Sequence, residues 1–141
     1  MRLGNYLEPF VVHEYEGLTG NATRQPGATL HHPEYPELFG HVDRIATHTS
    51  TAHATLDVVL ECKTCSAHRA HEWGPAWSDQ VPPEYLTQCL WYLGLTQCSE
   101  AHLAVLIGNT DFRVYRIQRD ETLQQHMFEE AHRFWVGHVL S

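Results

Sequence analysis

Residues 56–64, LDVVLECKT, form the strongest strand pattern in the chain. Successive side chains of a strand point to opposite faces, so Val58, Leu60 and Cys62 share one apolar face. The other face carries two acids, a valine and a lysine: Asp57, Val59, Glu61 and Lys63. An acid and a lysine two positions apart are costly to bury on such a strand unless they perform chemistry. On an exposed face they would instead form an ion pair of little energetic value.

The preceding segment supplies a further acid, Asp43, within residues 40–44, GHVDR. A hard divalent cation prefers carboxylate and carbonyl oxygens, which Asp43, Glu61 and the backbone of Cys62 would offer. Such a cation lowers the pKa of a bound water and neutralises charge on a scissile phosphate, and Lys63 would orient that water. An acid on one hairpin strand followed by Glu-x-Lys on the next is the PD-(D/E)XK nuclease arrangement, although the pattern alone also occurs by chance.

The remaining periodicity predicts a mixed α/β sheet flanked by helices, in the order α-β-β-β-α-β-β-α. Residues 65–81 lack a clear period and predict a long surface loop. The predicted helices are residues 4–17, 82–95 and 121–140. The predicted strands are residues 28–32, 41–48, 53–64, 101–107 and 112–117, with a hairpin turn joining the second to the third.

Composition narrows the class of protein. A chain of 141 residues that is 43% hydrophobic fits one domain with its own core. The net charge of −8 argues against a protein that binds nucleic acid by neutralising many phosphates, but not against an enzyme that binds it through metal ions.

The sequence contains no run of about 18 apolar residues, so it predicts no membrane helix. The start has no secretory signal, and the four cysteines therefore favour a reduced, cytoplasmic setting. Lys63 is the only lysine.

Seven short motifs follow one another along the chain. They are residues 4–9 (GNYLEP), 19–20 (TG), 32–36 (HPEYP), 42–44 (VDR), 60–64 (LECKT), 73–74 (WG) and 81–88 (VPPEYLTQ). Together with the apolar helix after Gln88 and the strand at residues 112–119, they resemble the YqaJ-like viral recombinase family. This is the phage-type exonuclease group that includes lambda exonuclease, and the resemblance covers nearly the whole chain. It implies a restriction-endonuclease-like fold of the PD-(D/E)XK superfamily.

The resemblance also implies roles for individual residues. Asp43 and Glu61 would be carboxylate ligands of the metal, and the backbone carbonyl of Cys62 would be a third. Lys63 would position the attacking water. Glu8 matches the additional acid of the family near the metal, as an outer or second-site ligand, and Gln88 matches a glutamine that helps to hold the reacting groups.

By the same resemblance, the expected activity is hydrolysis of double-stranded DNA with Mg²⁺ or Mn²⁺, as a 5′→3′ exonuclease that feeds recombination. Relatives often work beside a single-strand annealing protein, and some form ring-shaped trimers around DNA. Two alternatives stay open: an endonuclease or nickase on the same core, and a non-catalytic DNA- or protein-binding module that keeps the fold.

The chain departs from the family pattern in two ways. It begins at the first motif, so the expectation is a single nuclease domain over residues 1–141 that lacks the usual N-terminal extension of the family. It also has Val42 where many relatives have proline, which leaves the chemistry of the neighbouring aspartate unchanged.

A zinc site is an alternative interpretation of the cysteines and histidines that follow the strand. Cys62 and Cys65 form C-x-x-C, and His68 and His71 follow. The usual spacing of three to five residues between the histidines of a second ligand pair is not met, and Cys62 should point into the core, so zinc is the less favoured interpretation.

Several other side chains have both a functional and a structural interpretation. Trp73 and Trp77 would stack on a splayed base or pack in the core. His41 would touch substrate or be a plain exposed histidine, and Asp57 would support the site or merely flank the strand. The candidate phosphate contacts are Arg44, Arg69, Arg113, Arg116 and Arg119.

Overall fold

The structure, a computed structural model, describes residues 2–49, 52 and 54–140, and side chains from residue 7 onward. Its strands are β1 (Ala22–Arg24), β2 (Leu30–His31), β3 (Phe39–Gly40), β4 (Arg44–Thr49), β5 (Thr55–Cys65), β6 (Glu100–Ile107) and β7 (Asp111–Gln118). Its α-helices are α1 (Arg2–Thr19), α2 (Pro83–Thr96) and α3 (Glu121–Phe134). A 3₁₀ helix covers Ala67–Glu72, and a π-helical turn covers Trp135–Val139.

The central sheet is mixed, with the strand order β1-β4-β5-β6-β7. β5 pairs antiparallel with β4 and parallel with β6, and β7 returns antiparallel to β6. A parallel pair needs a crossover connection, which the segment containing α2 provides. β2 and β3 pair with each other in a separate two-stranded sheet, the ribbon, which lies in the chain directly before the segment that holds Asp43.

Both faces of β5 are buried in the middle of the strand, at residues 58–61. Val59 packs with Leu93 in the cluster on the α2 side, whereas Val58 and Leu60 pack with Val11 in the cluster on the α1 side. Burying a Val or Leu side chain fully stabilises the fold by roughly 1.5–3 kcal/mol. The strand at the centre of the sheet therefore has a nearly continuous apolar run, and the polar residues at its carboxyl end stand out against it.

Helix α3 attaches to α2 through Phe128, which is buried against Trp91 with the ring centroids 4.5 Å apart. A Cβ atom at Gly94 would stand 2.2 Å from Cε2 of Phe128, so this contact depends on a glycine at that position.

Within residues 2–49, 52 and 54–140, no helix is both long enough and apolar enough to span a bilayer.

The predicted mixed α/β fold is confirmed, and a short strand lies within the predicted residues 28–32, although not in the central sheet. Only Leu30–His31 is extended there, and it belongs to the ribbon. The outer strand of the sheet is instead β1, whose three residues carry no apolar alternation that would reveal them. The predicted start of a strand at His53 and the centre of the predicted hairpin turn lie outside the described residues.

Three further segments differ from the prediction by more than two residues or in type. The strand expected from residue 41 begins at Arg44, because residues 41–43 have no ladder partner and residue 43 forms a bend. The predicted loop at residues 65–81 contains the 3₁₀ helix, whose first turn is capped by the Ser66 side chain accepting from the His68 N–H. The last α-helix ends at Phe134 and continues as the π-helical turn.

Candidate active site

Glu61 is a buried acid near the carboxyl end of β5. It lies on the same face as Val59 and is only 2% exposed. Its Oε2 atom has no hydrogen-bond partner among the described residues, and Lys63 Nζ lies 3.8 Å from Oε1. Burial, followed by hydrogen bonding and charge from Asp43, raises the pKa of Glu61 far above that of an ordinary glutamate, and Lys63 opposes the rise. A buried carboxyl group of this kind needs either a proton or a cation.

Asp43 is held opposite Glu61 by the pairing of β4 with β5. The register pairs Ile45 with Val59 and Arg44 with Leu60, so one further step places Asp43 beside Glu61. The backbone N–H of Cys62 donates to Asp43 Oδ2 at 3.0 Å, which fixes the orientation of the aspartate. Because two carboxylates offer each other only acceptors, they can share a hydrogen bond only when one of them is protonated.

Glu8 comes to the same place from α1. Its Oε1 lies 3.4 Å from Arg44 Nη1, and both side chains are largely shielded from solvent. Burial and the charge of Asp43 raise the pKa of Glu8, while Arg44 opposes the rise. The site thus contains three acids, Glu8, Asp43 and Glu61, against two cations, Arg44 and Lys63.

Lys63 is bracketed by an acid and an aromatic ring. Its Nζ lies 5.2 Å from the centroid of the Tyr85 ring, a cation–π distance. Tyr85 in turn stacks on Trp73, with centroids 5.6 Å apart. The interpretation of Trp73 as a base-stacking residue is wrong, because the residue is only 5% exposed and packs in the core against Tyr115.

Gln88 lies on α2, and its Nε2 donates to the hydroxyl of Tyr92, one turn further along the same helix, at 3.1 Å. Burial, followed by the charges of Glu61 and Asp43, raises the pKa of Tyr92, whereas Gln88 opposes the rise. The pair of Gln88 and Tyr92 therefore borders the acids without an ion pair to them. Sequence reasoning missed Tyr85, although its spacing of three from Gln88 on one helix would have placed both on the same face.

The donor set fits a hard divalent cation. Carboxylate oxygens and a backbone carbonyl are the ligands that Mg²⁺ prefers, and Mg²⁺ usually takes only one or two carboxylates and keeps several waters. The partnerless Oε2 of Glu61, beside a second carboxylate, is the atom that such a cation would satisfy. Across the described residues, no group of three or more His, Cys, Asp or Glu side chains is arranged to hold a metal ion.

That finding also bears on the zinc interpretation. Cys62 packs with the cluster on the α1 side, and Cys65 Sγ donates to the Ser66 carbonyl at 3.3 Å. Residues three apart on a strand point to opposite faces, which separates the two thiols.

The candidate phosphate contacts are all paired with acids, Arg44 within the site and the others outside the acid cluster. Every arginine whose side chain the structure describes contacts an acid: Arg24, Arg44, Arg69, Arg113, Arg116, Arg119 and Arg133. Asp57 lies in the exposed first part of β5, where it pairs with Arg24 at 2.9 Å and accepts from Thr47, so it lies outside the acid cluster. Trp77 is 47% exposed, and His41 is exposed near Asp43.

Comparison with known proteins adds a family and a fold. The model of the YqaJ-like viral recombinase domain matches residues 1–99. The uncharacterised protein YqaJ of Bacillus subtilis (strain 168) is 34% identical over 139 residues, which cover 97% of this chain and 40% of that protein. This chain therefore spans less than half the length of that relative.

Among solved structures, the alkaline exonuclease LHK-Exo from Laribacter hongkongensis matches with a TM-score of 0.73 and 19% identity, over 97% of this chain and 67% of that chain. LHK-Exo in complex with dAMP matches with a TM-score of 0.75, also at 19% identity. At this level of identity, the likeness establishes the fold.

Proposed function

Since the chain belongs to the family of YqaJ-like viral recombinase domains, we propose that it is a nuclease, specifically a metal-dependent deoxyribonuclease acting on double-stranded DNA. One observation carries the proposal: a buried glutamate with a partnerless oxygen lies beside a second carboxylate and a lysine. Buried like charges destabilise a fold, so a site that keeps them together is typical of chemistry that needs them.

The residues that would hold the cation are Asp43, Glu61 and the Cys62 backbone carbonyl, with Glu8 in an outer or second position. Once Glu61 releases its proton, three acids against two basic side chains leave an excess of negative charge, which a divalent cation would balance before a phosphate approached. When bound, Mg²⁺ or Mn²⁺ would activate a water for attack and neutralise charge on the scissile phosphate.

The protein side chains would orient the reactants. The Cys62 N–H keeps Asp43 turned toward Glu61. Lys63, held between Glu61 Oε1 and the Tyr85 ring, would donate a hydrogen bond to the attacking water and stabilise the negative charge that develops on the phosphate. Gln88, at the border of the acids, would hold the reacting groups through its side-chain amide, once it exchanges its contact with Tyr92.

The finer expectation is a 5′→3′ exonuclease on linear duplex DNA, acting in recombination. LHK-Exo, which shares the fold, is an alkaline exonuclease and was solved with dAMP, and both facts support this expectation. Residues 1–141 would form one nuclease domain in a cytoplasmic setting, with free cysteines, and would work beside a single-strand annealing protein, as a monomer or a trimer.

Linear and covalently closed circular duplexes of the same sequence test the activity. With Mg²⁺, the linear DNA should be degraded and the circular DNA should stay intact, because an exonuclease needs an end. EDTA should stop the degradation. A label on the 5′ end should be released early as a mononucleotide, whereas a label on the 3′ end should be released late.

Other outcomes of this assay would replace the proposal. Nicking or linearisation of the circle would indicate an endonuclease on the same core. If neither DNA were cut with Mg²⁺ or Mn²⁺, the chain would be a binding module that keeps the fold, and the proposed function would be wrong.

A further inference from the structure

An aromatic side chain is displayed on the ribbon, close in sequence to the candidate active site. Phe39 is 52% exposed and belongs to none of the buried clusters. The rings of two histidines flank it: that of His31 at 5.8 Å with a tilt of 41°, and that of His41 at 6.2 Å with an edge-on angle of 81°. A single exposed apolar residue is ordinary, so its setting decides whether it has a role.

The backbone that carries this ring is firmly held. The Phe39 carbonyl accepts from Trp91 Nε1 at 3.0 Å. Gly40 lies so close to α2 that a Cβ atom there would stand 2.8 Å from Tyr92 Cε1. His31 Nδ1 donates to the Pro36 carbonyl at 2.8 Å. A ring on such a support is pre-oriented and loses little conformational freedom when it binds a partner.

Phe39 also lies close in the chain to the catalytic candidate Asp43. Along residues 38–42, Leu38, Gly40 and Val42 are buried, whereas Phe39 and His41 are exposed. Asp43 follows at a bend, four residues after Phe39. Four extended residues span at most about 14 Å. A nucleic-acid strand bound at Asp43 would therefore pass Phe39 within a few nucleotides.

The charge distribution of the protein favours a non-ionic contact with DNA, such as stacking on an aromatic ring. The net charge is −8, and each arginine with a described side chain is already paired with an acid. Release of counterions by free arginines therefore supplies little affinity for DNA. Stacking of bases on aromatic rings does not depend on charge or on sequence, because every base has a π-face.

We propose that Phe39, flanked by His31 and His41, is a stacking platform for an unpaired base of the DNA strand that leads into the candidate active site. This inference rests on the proposed function for its substrate. It assigns a separate role, the holding of a frayed or single-stranded segment, to a residue outside the acid cluster.

Binding of a fluorescent single-stranded oligonucleotide, measured by anisotropy in EDTA, tests the platform without hydrolysis. Phe39→Ala should raise the Kd by about 5- to 100-fold, which corresponds to the loss of one stacked base. Phe39→Leu should bind the oligonucleotide nearly as weakly as Phe39→Ala, since leucine keeps the apolar bulk but has no π-face. Phe39→Trp should bind it like the wild type. Because the contact is not ionic, the loss should be the same at low and moderate salt.

Phe134→Ala is the matched control, because Phe134 is also an exposed phenylalanine, at 61%, with a histidine ring stacked on it at 4.7 Å. This variant should bind the oligonucleotide within twofold of the wild type. The platform is wrong if Phe39→Leu binds as tightly as the wild type, if Phe134→Ala loses as much affinity as Phe39→Ala, or if the wild type does not bind single strands.

Failure of the platform can be separated from failure of the proposed function. If the wild type digests linear duplex DNA but the Phe39 variants bind the oligonucleotide normally, the nuclease proposal stands and the stacking platform is wrong. If the wild type digests no DNA but its binding of the oligonucleotide depends on an aromatic residue at position 39, the platform stands and the proposed nuclease activity is wrong.

Discussion

Replacing Lys63 with alanine is expected to lower the rate of Mg²⁺-dependent hydrolysis of linear duplex DNA by about 10²- to 10³-fold, the usual cost of removing one group that stabilises developing charge. Lys63 is the only described basic side chain that contacts Glu61, at 3.8 Å. Removing its ammonium group leaves the negative charge on the phosphate without that donor. The measurement is the initial rate of nucleotide release under saturating DNA, where the loss should appear in kcat.

Lys63→Arg is the informative companion variant. It keeps the positive charge, but a planar guanidinium is wider than an ammonium and presents its charge differently. We expect it to restore less than a tenth of the wild-type rate. Both variants should keep the wild-type far-UV circular dichroism spectrum, because changing the side chain leaves the backbone pairing of Lys63 with Val105 in place. A Lys63→Ala variant with more than a third of the wild-type rate would contradict the assigned role.

Replacing Glu61 with glutamine is expected to remove the pH dependence of stability that this residue causes and to abolish stabilisation by Mn²⁺. Burial and Asp43 raise the pKa of Glu61 above the value of 4.5 that the unfolded chain would show. The native state therefore keeps a proton that the unfolded state releases. The contribution of Glu61 to the free energy of unfolding is therefore greatest below about pH 4.5. It falls as the pH rises toward the pKa of this residue in the native state.

The slope from one such proton is at most about 1.4 kcal/mol per pH unit. Between pH 5.5 and 8, metal-free wild type should lose stability along such a slope, and Glu61→Gln, which cannot ionise, should not. Mn²⁺ takes the place of the proton, so it should restore stability to the wild type, by about 2.7 kcal/mol at 100 times its Kd, and do so more strongly at the higher pH. Urea unfolding with EDTA or Mn²⁺ at the two pH values measures both effects.

Asp57→Asn is the matched control, because it removes an acid from the same strand at an exposed site, where it pairs with Arg24. An exposed ion pair contributes about 0–1 kcal/mol, so this variant should keep both the pH slope and the response to Mn²⁺. Equal behaviour of Glu61→Gln and wild type in EDTA and in Mn²⁺ would show that Glu61 is not a cation ligand.

The sequence alone predicts the centre of the fold and the acids of the site well, for local reasons. The alternation of residues 56–64 is visible in one stretch of chain, and a hairpin between neighbouring strands brings Asp43 beside Glu61 without further knowledge of the fold. Family motifs supplied Glu8, which no local pattern would connect to the sheet. The roles of these residues remain predictions, although their proximity agrees with them.

What the sequence did not predict depends on contacts between distant residues. β1 is three residues long, and its place at the edge of the sheet follows from its pairing with β4. The burial of Trp73 depends on Tyr85 and Tyr115, which lie 12 and 42 residues away in the chain. The pairing of each described arginine with an acid is a property of the assembled surface, because composition reports how many charges exist but not where they meet.

The central claim is that Asp43 and Glu61 together hold a divalent cation. Anomalous diffraction from crystals grown with Mn²⁺ tests it most directly, because the signal locates the ion independently of any assay. We predict a strong anomalous peak within coordination distance of a carboxylate oxygen from each of these two residues. A structure with Mn²⁺ in excess that showed no peak between them, or a peak bound elsewhere, would contradict the claim.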